Sequence, residues 1–573
     1  MAAGGTDPDI AGPDSMNGDR KRFARAALRH GARAWEVMKD EGPGQVQFWF
    51  IALLIGCASG AAALLFRAGI EWLQETLYGT DDARMIHSFA ATLPWWLVLS
   101  IPVAGGLVTG LIFHRFTPDG RVRSVADVIM GAALKDGRVE IRAGLASAAA
   151  SLLTLSSGGS TGREGPVVHL AAVISSWVSN RINANGITGR DLLGCAVAAA
   201  VSASFNAPIA GTLFALEVVL RHFAVHAFAP IAIASVAGTV INRLRYGDVT
   251  EFTLGEPGLL QFYQELPAYL ILGLLAGVVA VALTQGVFLA DDFAGTVRRR
   301  TGLPRPLMPA VAGLLLGAIA IVWPHIIGVG YETTSAALTG QLTLGQAVAF
   351  CAVKCVAVAI TVAGRMGGGM FSPSLMVGAL TGLAFGLVAT AIFPDVSGSV
   401  TLYALAGMGG VAAAVLGAPI STTLIVFELT GDWQTGLVVL VTVSVSSAVA
   451  SRLIDRSFFL TQLERRNIHL AAGPQAYLLS MFRVANVMRE MGHATAAPDE
   501  ALWAAIEAGV FVERNATLET AMPVFERTGR PFLPVVTMGK VGEAPQVHGA
   551  LFHVDALKAY NRALAATAAE EHS

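Results

Sequence analysis

The chain has 573 residues, of which 54% are apolar and only 14% are charged, and its mean hydropathy is +0.59. Ordinary soluble proteins carry about 25% charged residues, so this composition argues against a soluble multidomain enzyme. Lys and Arg total 39 against 41 Asp and Glu, which gives a net charge of −2. Without a basic field to hold a polyanion, we expect no nucleic-acid partner.

Residues 1–44 form a polar segment rich in Gly, Pro and Asp. Six basic residues between positions 20 and 33 alternate with Phe23, Leu28 and Trp35, and this spacing predicts an amphipathic helix on an anionic membrane face. A solvated basic tail is the alternative. The segment lacks the short apolar core and small-residue cleavage site of a signal peptide.

Residues 45–468 are a succession of apolar segments, three of which contain no charged residue: Leu192–Leu216, Met366–Pro394 and Val396–Phe427. Each is long enough to cross a hydrocarbon core, which needs about 20 helical residues. The sequence therefore predicts an all-α polytopic membrane protein. Gly- and Ser-rich interruptions at 156–159 and 367–369 predict helices that break at membrane depth, where broken backbone is tolerated only beside a cavity or buried in protein.

The loops predict the orientation in the membrane. Residues 114–123, 298–305 and 452–466 are basic, whereas residues 71–82 and 248–265 are acid-rich and contain neither Lys nor Arg. The positive-inside rule puts the basic loops in the cytoplasm. We expect both termini to be cytoplasmic and the membrane to be a bacterial-type inner membrane.

An internal repeat divides the apolar region into two halves. The segment Phe205–Glu217 recurs 211 residues later as Leu416–Glu428, with Ala, Pro, Ile, Thr, Leu and Glu in register. Each copy follows, by roughly 40 residues, a Gly-containing break that ends in Pro: Gly162–Pro166 and Gly369–Pro373. Matched helix breaks in two halves predict a transport site where the halves meet.

The chemistry of such breaks favours an anion. A helix that begins inside the membrane presents free N–H groups and the positive end of its dipole, so two facing starts replace part of an anion's water shell. Glu164 lies inside the first break. Because a carboxylate at membrane depth is costly and would compete with an anion for the same amides, we interpret it as a pH- and anion-sensitive gate.

Other ionisable groups in this region leave alternatives open. Glu217 and Glu428 are either proton relays or, as we expect, structural carboxylates bonded to backbone near helix ends. Lys354 either raises the local anion concentration or snorkels toward an interface. His169 could shift the pH range of the gate, but a hydrogen-bonded interior histidine is the expected interpretation.

The four cysteines, Cys57, Cys195, Cys351 and Cys355, lie in apolar stretches and are expected to be buried small residues. Cys351 and Cys355 are one helical turn apart, but no His or carboxylate joins them within a turn, so we expect no metal site.

Taken together, Gly162–Pro166, Gly369–Pro373 and Phe205–Glu217 resemble the CLC family of chloride channels and chloride/proton antiporters, over residues 48–466. The resemblance implies a homodimer in which each subunit has its own anion pathway, built from tilted helices in two inverted halves. It implies that Glu164 is the gating glutamate. It also implies that backbone amides bind the anion, at an outer site framed by Gly162, Arg163 and Gly165 and a central site at Met370 and Phe371.

Two anion-pathway positions depart from the family pattern. The first motif, Gly-Ser-Gly-Ile-Pro, is replaced by Arg123–Asp127, in which only Ser124 survives; a Ser here accompanies chloride selectivity in the family. The pore tyrosine falls on Phe459, whose ring has no hydroxyl to donate to an anion.

The third departure concerns protons. In proton-coupled members that this chain resembles, an inner glutamate directly follows the position of Glu217, and here that residue is Val218. The substitution favours passive, channel-like chloride flow. Chloride/proton antiport on the same scaffold is the alternative, with Glu217 one residue away as a relay.

Residues 469–573 turn polar and predict a cytoplasmic α/β domain, with helices at 518–527 and 554–564 and strands at 532–536 and 547–552. This pattern resembles one CBS module, and residues 482–508 resemble a degenerate first copy. A structural dimer contact is expected here, with nucleotide binding as the alternative.

A membrane-embedded enzyme that uses residues 158–165 as a phosphate cradle is the rival from another class. That loop lacks the Gly-Lys-Ser/Thr ending of a P-loop, so we expect a transport protein rather than an enzyme, without a cofactor.

Overall fold

The computed structural model describes residues 44–80, 82–184, 186–223, 225–248, 252–255, 262–468, 470, 479, 482–493, 496–538 and 545–571. The amphipathic helix expected near residues 20–35 lies outside these described residues.

The first half of the membrane region is helical from Gln45 onward. Its helices are α1 (Gln45–Tyr78), α2 (Ile86–Thr92), α3 (Trp95–Phe116), α4 (Val125–Leu134), α5 (Ile141–Ser156), α6 (Glu164–Arg181), α7 (Gly186–Phe205), α8 (Pro208–Phe214, continued as a π-helix over Ala215–Leu220) and α9 (Val225–Tyr246).

The second half repeats this succession of long and short helices. They are α10 (Phe262–Thr301), α11 (Met308–Val322), α12 (Tyr331–Leu338), α13 (Leu344–Ala363), α14 (Phe371–Ile392), α15 (Val400–Leu416), α16 (Pro419–Thr430), α17 (Trp433–Leu453) and α18 (Phe458–Glu464).

Within the described ranges, eight helices are long and apolar enough to cross a membrane, judged by length and composition. Shorter apolar helices, among them α4, α5, α15 and α16, pack between them. The prediction of a polytopic helical membrane protein is confirmed.

Two of the three charge-free stretches differ from the expectation of a single span. α7 ends at Phe205 and α8 begins at Pro208, while α15 ends at Leu416 and α16 begins at Pro419. Pro has no N–H to donate, and its ring excludes the helical conformation for the residue before it. Each repeat copy is therefore the start of a new half-helix inside the protein rather than the middle of a span.

Close backbone approach holds the buried helices together. A Cβ at Gly382 on α14 would lie 2.1 Å from the carbonyl oxygen of Tyr403 on α15, and one at Gly378 would lie 2.5 Å from that of Gly407. Small residues at such contacts are the usual solution for helices that pack in a membrane.

The C-terminal unit contains a four-stranded sheet in the order β1-β4-β3-β2. Its elements are β1 (Arg489–Glu490), α19 (Asp499–Glu507), β2 (Val512–Glu513), α20 (Leu518–Thr528), β3 (Phe532–Thr537), β4 (Gln546–Phe552) and α21 (His553–Glu571). β2 runs parallel to β3, and β4 is antiparallel to both β3 and β1. The α/β pattern expected from residue 518 onward is confirmed. An ion pair between Arg483 and Asp136 joins this unit to the loop that follows α4.

Candidate anion pathway

The two Gly-containing breaks meet directly. The N–H of Gly162 donates to the carbonyl of Gly369 at 2.8 Å, and the N–H of Gly369 returns the bond to Gly162 at 2.8 Å. A Cβ at Gly369 would lie 2.9 Å from the backbone nitrogen of Gly165, so this contact requires glycine. The starts of α6 and α14, one from each half, are thus held side by side, where their amides can serve one anion.

Glu164 lies at this junction. Its side chain is buried, and its Oε1 accepts a hydrogen bond of 2.5 Å from the Oγ of Ser372 in the first turn of α14. The carboxylate of one half therefore lies at the helix start of the other half. In this position the carboxylate faces the partial positive charge at the N-terminus of α14.

One cavity of about 490 Å³ brings most of the predicted site residues together. Its lining includes Ser124, Glu164, Gly165, Met370, Phe371 and Phe459. Residues far apart in sequence thus share one space, and Glu164 lies at its wall.

The remaining two predicted anion-site residues, Gly162 and Arg163, do not line this cavity. The guanidinium of Arg163 donates to the carbonyl of Ser204 at 3.0 Å and lies 5.5 Å from the ring centre of Tyr331. Arg163 instead lines a separate cleft of about 30 Å³ that includes Glu71 of α1. The neighbouring residues Arg163 and Glu164 therefore line different spaces.

The large cavity carries an excess of positive charge. Arginines predominate in its lining, as Arg121, Arg299, Arg365, Arg465 and Arg466, against the acidic Glu164, Asp291 and Asp292. Basic walls raise the local concentration of anions. All of these arginines except Arg365 lie in the segments 114–123, 298–305 and 452–466, which the positive-inside rule predicts to be cytoplasmic.

Asp127 is a site residue that the sequence analysis did not single out. The backbone N–H of Ser124 donates to its Oδ2 at 3.0 Å, and Arg466 donates to its Oδ1 at 2.7 Å. Asp127 thus links the N-terminus of α4, where Ser124 lies, to the chain that follows α18. Phe459 belongs to α18. The Ser-x-x-Asp spacing of a helix cap was the signal that could have found it.

Aromatic side chains pack against one another at one wall of the cavity. The ring of Phe371 lies 4.8 Å from that of Phe205 and 5.7 Å from that of Phe214, measured between centroids. Phe459 is buried and packs edge-on against Phe458. Packing on two rings limits the freedom of the backbone at Phe371, whose amide was assigned to the central anion site.

Glu217 and Glu428 make reciprocal contacts between the halves. Glu217 accepts from the backbone N–H groups of Ile420 (3.0 Å) and Ser421 (2.8 Å) at the start of α16. Glu428 accepts from Ile209 (3.0 Å) and Ala210 (2.7 Å) at the start of α8. Each carboxylate therefore caps the half-helix of the opposite repeat, which is the backbone-bonded arrangement expected from the sequence.

We expect Glu217→Gln and Glu428→Gln each to destabilise the fold by about 1–2 kcal/mol, because each removes a charge from a pair of helix N–H groups. The loss should be larger for Glu217, which also accepts from the hydroxyl of Ser421, whereas Glu428 faces Ala210. Thermal unfolding of each variant in detergent measures the loss. Glu500→Gln, at the exposed start of α19, is a control for removing a carboxylate near a helix start. A loss in either variant that is no larger than in the control would contradict the capping role of that carboxylate.

Three other expectations differ from the structure. Lys354 does not snorkel: it is fully buried and donates to the carbonyls of Ile326 (3.3 Å) and Gly328 (3.0 Å). Only Cys195 is fully buried, since the other three cysteines are partly exposed on helix surfaces. His169 is buried, but neither of its ring nitrogens has a hydrogen-bond partner in the described part of the chain.

Val218, the residue at the position of the family's inner acid, is a buried apolar side chain on the π-helical turn. Nothing at that side chain can titrate. Across the described ranges, no group of three or more His, Cys, Asp and Glu residues could hold a metal ion.

Comparison with known proteins decides the family. The family model of the voltage gated chloride channel matches residues 105–451, more than half of the chain. The chain belongs to the CLC family. A putative ClcB-like chloride channel protein of Ralstonia nicotianae is 34% identical over 389 residues, covering 67% of this chain and 89% of that protein. The voltage-gated ClC-type chloride channel ClcB of Escherichia coli is 28% identical, covering 72% and 97%.

Solved structures have the same membrane fold. A slow cyanobacterial Cl⁻/H⁺ antiporter superposes with a TM-score of 0.66 at 21% identity, covering 74% of this chain and 98% of that one. A eukaryotic CLC transporter gives a TM-score of 0.64 at 16% identity, covering 89% and 97%. As a CLC protein, the chain transports anions across a membrane, with chloride as the transported ion.

Proposed function

We propose that this protein conducts chloride passively, through a pathway that Glu164 opens and closes. The observation that carries the proposal is the basic cavity that joins Ser124, Phe459 and the amides at Met370 and Phe371 to a buried carboxylate. Chloride would enter from the cavity, bind at the start of α14, and pass when the Glu164 carboxylate leaves or is protonated. Glu164 is the proposed gate. The proposed anion-binding groups are Ser124, Phe459 and the amides of Gly162, Arg163, Gly165, Met370 and Phe371.

The passive mechanism is supported by the groups around the inner end of the pathway. Val218 offers no site for a proton, and both carboxylate oxygens of Glu217 are engaged by the start of α16. A proton that enters from the cavity would have to displace those hydrogen bonds before it could use Glu217. The cost of leaving two helix N–H groups unpaired disfavours that route.

Chloride/proton antiport is the second candidate. It is favoured by the descriptions of two structures of this fold, a cyanobacterial Cl⁻/H⁺ antiporter and a CLC-type fluoride/proton antiporter. On this reading Glu217 would be the inner relay. Enzymatic use of the loop at residues 158–165 is not proposed.

The test is a liposome experiment that records chloride and protons together. Vesicles loaded with chloride are held at a set membrane potential with valinomycin, and external chloride and pH are followed at once. We expect chloride to run down its gradient without uphill proton movement. Proton uptake driven by the chloride gradient would instead establish antiport, and Glu217→Gln would then be expected to abolish it; protein-free vesicles are the control.

The same proposal includes assembly and orientation. We propose a homodimer in an inner membrane, with both termini in the cytoplasm, residues 45–468 as the transport domain and residues 469–573 as a domain with one CBS-like copy. The sheet order and the β2-α20-β3-β4-α21 succession support the CBS likeness. A dimer contact is the proposed role of this domain, and nucleotide titration of the purified protein tests the alternative.

A further inference from the structure

A second basic pocket lies between the end of α3 and the start of α11. It has a volume of about 100 Å³, and its charged and titratable lining consists of His114, Arg305 and Arg365. Among the described residues, no Asp or Glu lines it. Asp119, in the loop after α3, is ion-paired with Arg123 at 2.7 Å. The pocket therefore presents positive charge that the protein does not balance.

The three side chains are available to a ligand. Within the described ranges, the side chains of His114, Arg305 and Arg365 make no hydrogen bond and no ion pair. His114 and Arg305 are exposed, and Arg365 is partly buried. A guanidinium group matches the oxygens of a phosphate with two parallel hydrogen bonds, so two such groups at one pocket favour a phosphate.

Arg365 stands where the backbone favours glycine. α13 ends in a Schellman motif, in which the N–H of Arg365 donates to the carbonyl of Val362 at 3.0 Å and that of Met366 to Thr361 at 3.1 Å. The motif holds Arg365 at a φ of +57°, in the left-handed region, where Gly is the usual residue. The helix end itself does not require an arginine, which indicates a use for the side chain.

The helix surfaces next to the pocket are apolar and face outward. Leu111 on α3 and Val311 on α11 are exposed, on helices long and apolar enough to cross a membrane. The two helices touch at the pocket, since a Cβ at Gly110 would lie 1.9 Å from the carbonyl oxygen of Pro306. A basic pocket between two membrane helices, next to an apolar surface, fits the headgroup and the acyl chains of one lipid.

We propose that this pocket binds the phosphate of an anionic phospholipid in the cytoplasmic leaflet. Arg305 and Arg365 pair with the phosphate oxygens, and His114 donates a hydrogen bond. His114 and Arg305 belong to the loops 114–123 and 298–305, which are predicted to be cytoplasmic, and anionic lipids of that leaflet attract basic residues.

Arg365 connects the lipid site to the anion pathway, because it lines both this pocket and the large cavity. A bound phosphate offsets the positive charge that Arg365 contributes to the cavity, so fewer chloride ions are drawn to the pathway. Chloride flux should fall about threefold when the lipid site is filled. Lipid binding goes beyond the proposed function, whereas its effect on chloride flux rests on that function.

The first measurement is lipid binding, which does not depend on transport. The purified full-length protein, in an uncharged detergent, is titrated with short-chain phosphatidylglycerol, and its Tm is followed. Binding to the folded state should raise the Tm by about 3 °C at saturation. Phosphatidylcholine of the same chain length should raise it less, because its choline cation lies beside the basic side chains. Inorganic phosphate, added alone, tests whether the site takes a free phosphate.

Arg305→Gln is the variant of choice, because Arg305 lines the lipid pocket and not the large cavity. It should lose most of the rise in Tm with phosphatidylglycerol. Arg300→Gln is the matched control, since it removes an exposed arginine at the end of α10 that lines neither space, and it should keep the rise. His114→Gln is a second variant of the pocket, and should weaken lipid binding even if Arg305→Gln fails to fold.

The second measurement is chloride efflux from phosphatidylcholine vesicles, with and without added phosphatidylglycerol. The anionic lipid should slow efflux about threefold in the unmodified protein and in Arg300→Gln, but not in Arg305→Gln. In pure phosphatidylcholine, Arg305→Gln should match the unmodified protein. The Arg300→Gln and Arg305→Gln proteins experience the same vesicle surface charge, so the comparison separates the pocket from that general effect.

The outcomes are distinct. A Tm that does not respond to phosphatidylglycerol, or that responds equally in Arg305→Gln, would overturn the lipid site. An equal rise with inorganic phosphate alone would assign the pocket to a free phosphate and overturn the lipid as its ligand. Lipid binding that leaves chloride efflux unchanged would refute the link through Arg365. Absence of chloride efflux from all vesicles would instead count against the proposed function.

Discussion

Replacing Glu164 by Gln is expected to abolish the pH control of chloride flux at saturating chloride. Gln keeps the shape of the side chain and still accepts a bond from Ser372, but it carries no charge at any pH. It therefore cannot exclude an anion electrostatically from the start of α14. Where the unmodified protein should change its flux about tenfold or more between alkaline and acidic pH, the variant should stay within about twofold.

The measurement is chloride efflux from liposomes at saturating chloride over a range of pH. Glu428→Gln is the matched control, because it removes another carboxylate bonded to a helix start, partly buried and outside the cavity lining. That control should keep the full pH response. An unchanged pH response in Glu164→Gln would show that another group closes the pathway.

Replacing Asp127 by Ala is expected to damage both stability and transport. The side chain is 5% exposed and forms an ion pair of 2.7 Å with Arg466 while it accepts from the N–H of Ser124. Removing the carboxylate leaves the partly buried guanidinium of Arg466 and the N–H of Ser124 without this partner, at a cost of about 1–3 kcal/mol. Because the same carboxylate fixes Ser124 and the chain after Phe459, chloride flux should fall on the order of tenfold in the folded fraction.

Thermal unfolding in detergent and chloride efflux per folded protein together check this prediction. Asp127→Asn is the control: its amide oxygen can still accept from Ser124, so it should retain Ser124 in place and lose only the charge opposite Arg466. A near-normal flux for Asp127→Ala would contradict the view that this carboxylate positions the anion pathway.

The sequence by itself determined the membrane class and the repeat. Long apolar segments with few charges have no stable alternative to helices in a bilayer, because every backbone group must be bonded internally. The Gly-containing breaks at Gly162 and Gly369 and the repeated Ala-Pro starts at Pro208 and Pro419 are local signals, since Gly and Pro act on the backbone where they stand. For the same reason the helix and strand positions from residue 518 onward were predictable.

The tertiary structure alone decided which groups meet. The bond pair between Gly162 and Gly369, and the bond from Ser372 to Glu164, join residues more than 200 positions apart, and no local rule specifies such a contact. Likewise, Pro208 and Pro419 break two stretches locally, but only the fold decides that each new half-helix start is capped by a glutamate of the other half. The length of an apolar segment determines whether it can cross the membrane, whereas its contacts with the other half determine how its helix starts are paired.

The candidate site shows the same division. Glu164 could be named from its cost at membrane depth, which depends only on its own charge. The role of Asp127, the placement of Arg163 outside the cavity and the burial of His169 could not, because each depends on what packs around the side chain. Burial and pairing are properties of the assembled helices, so the chemistry of these three residues was decided only when the two halves came together.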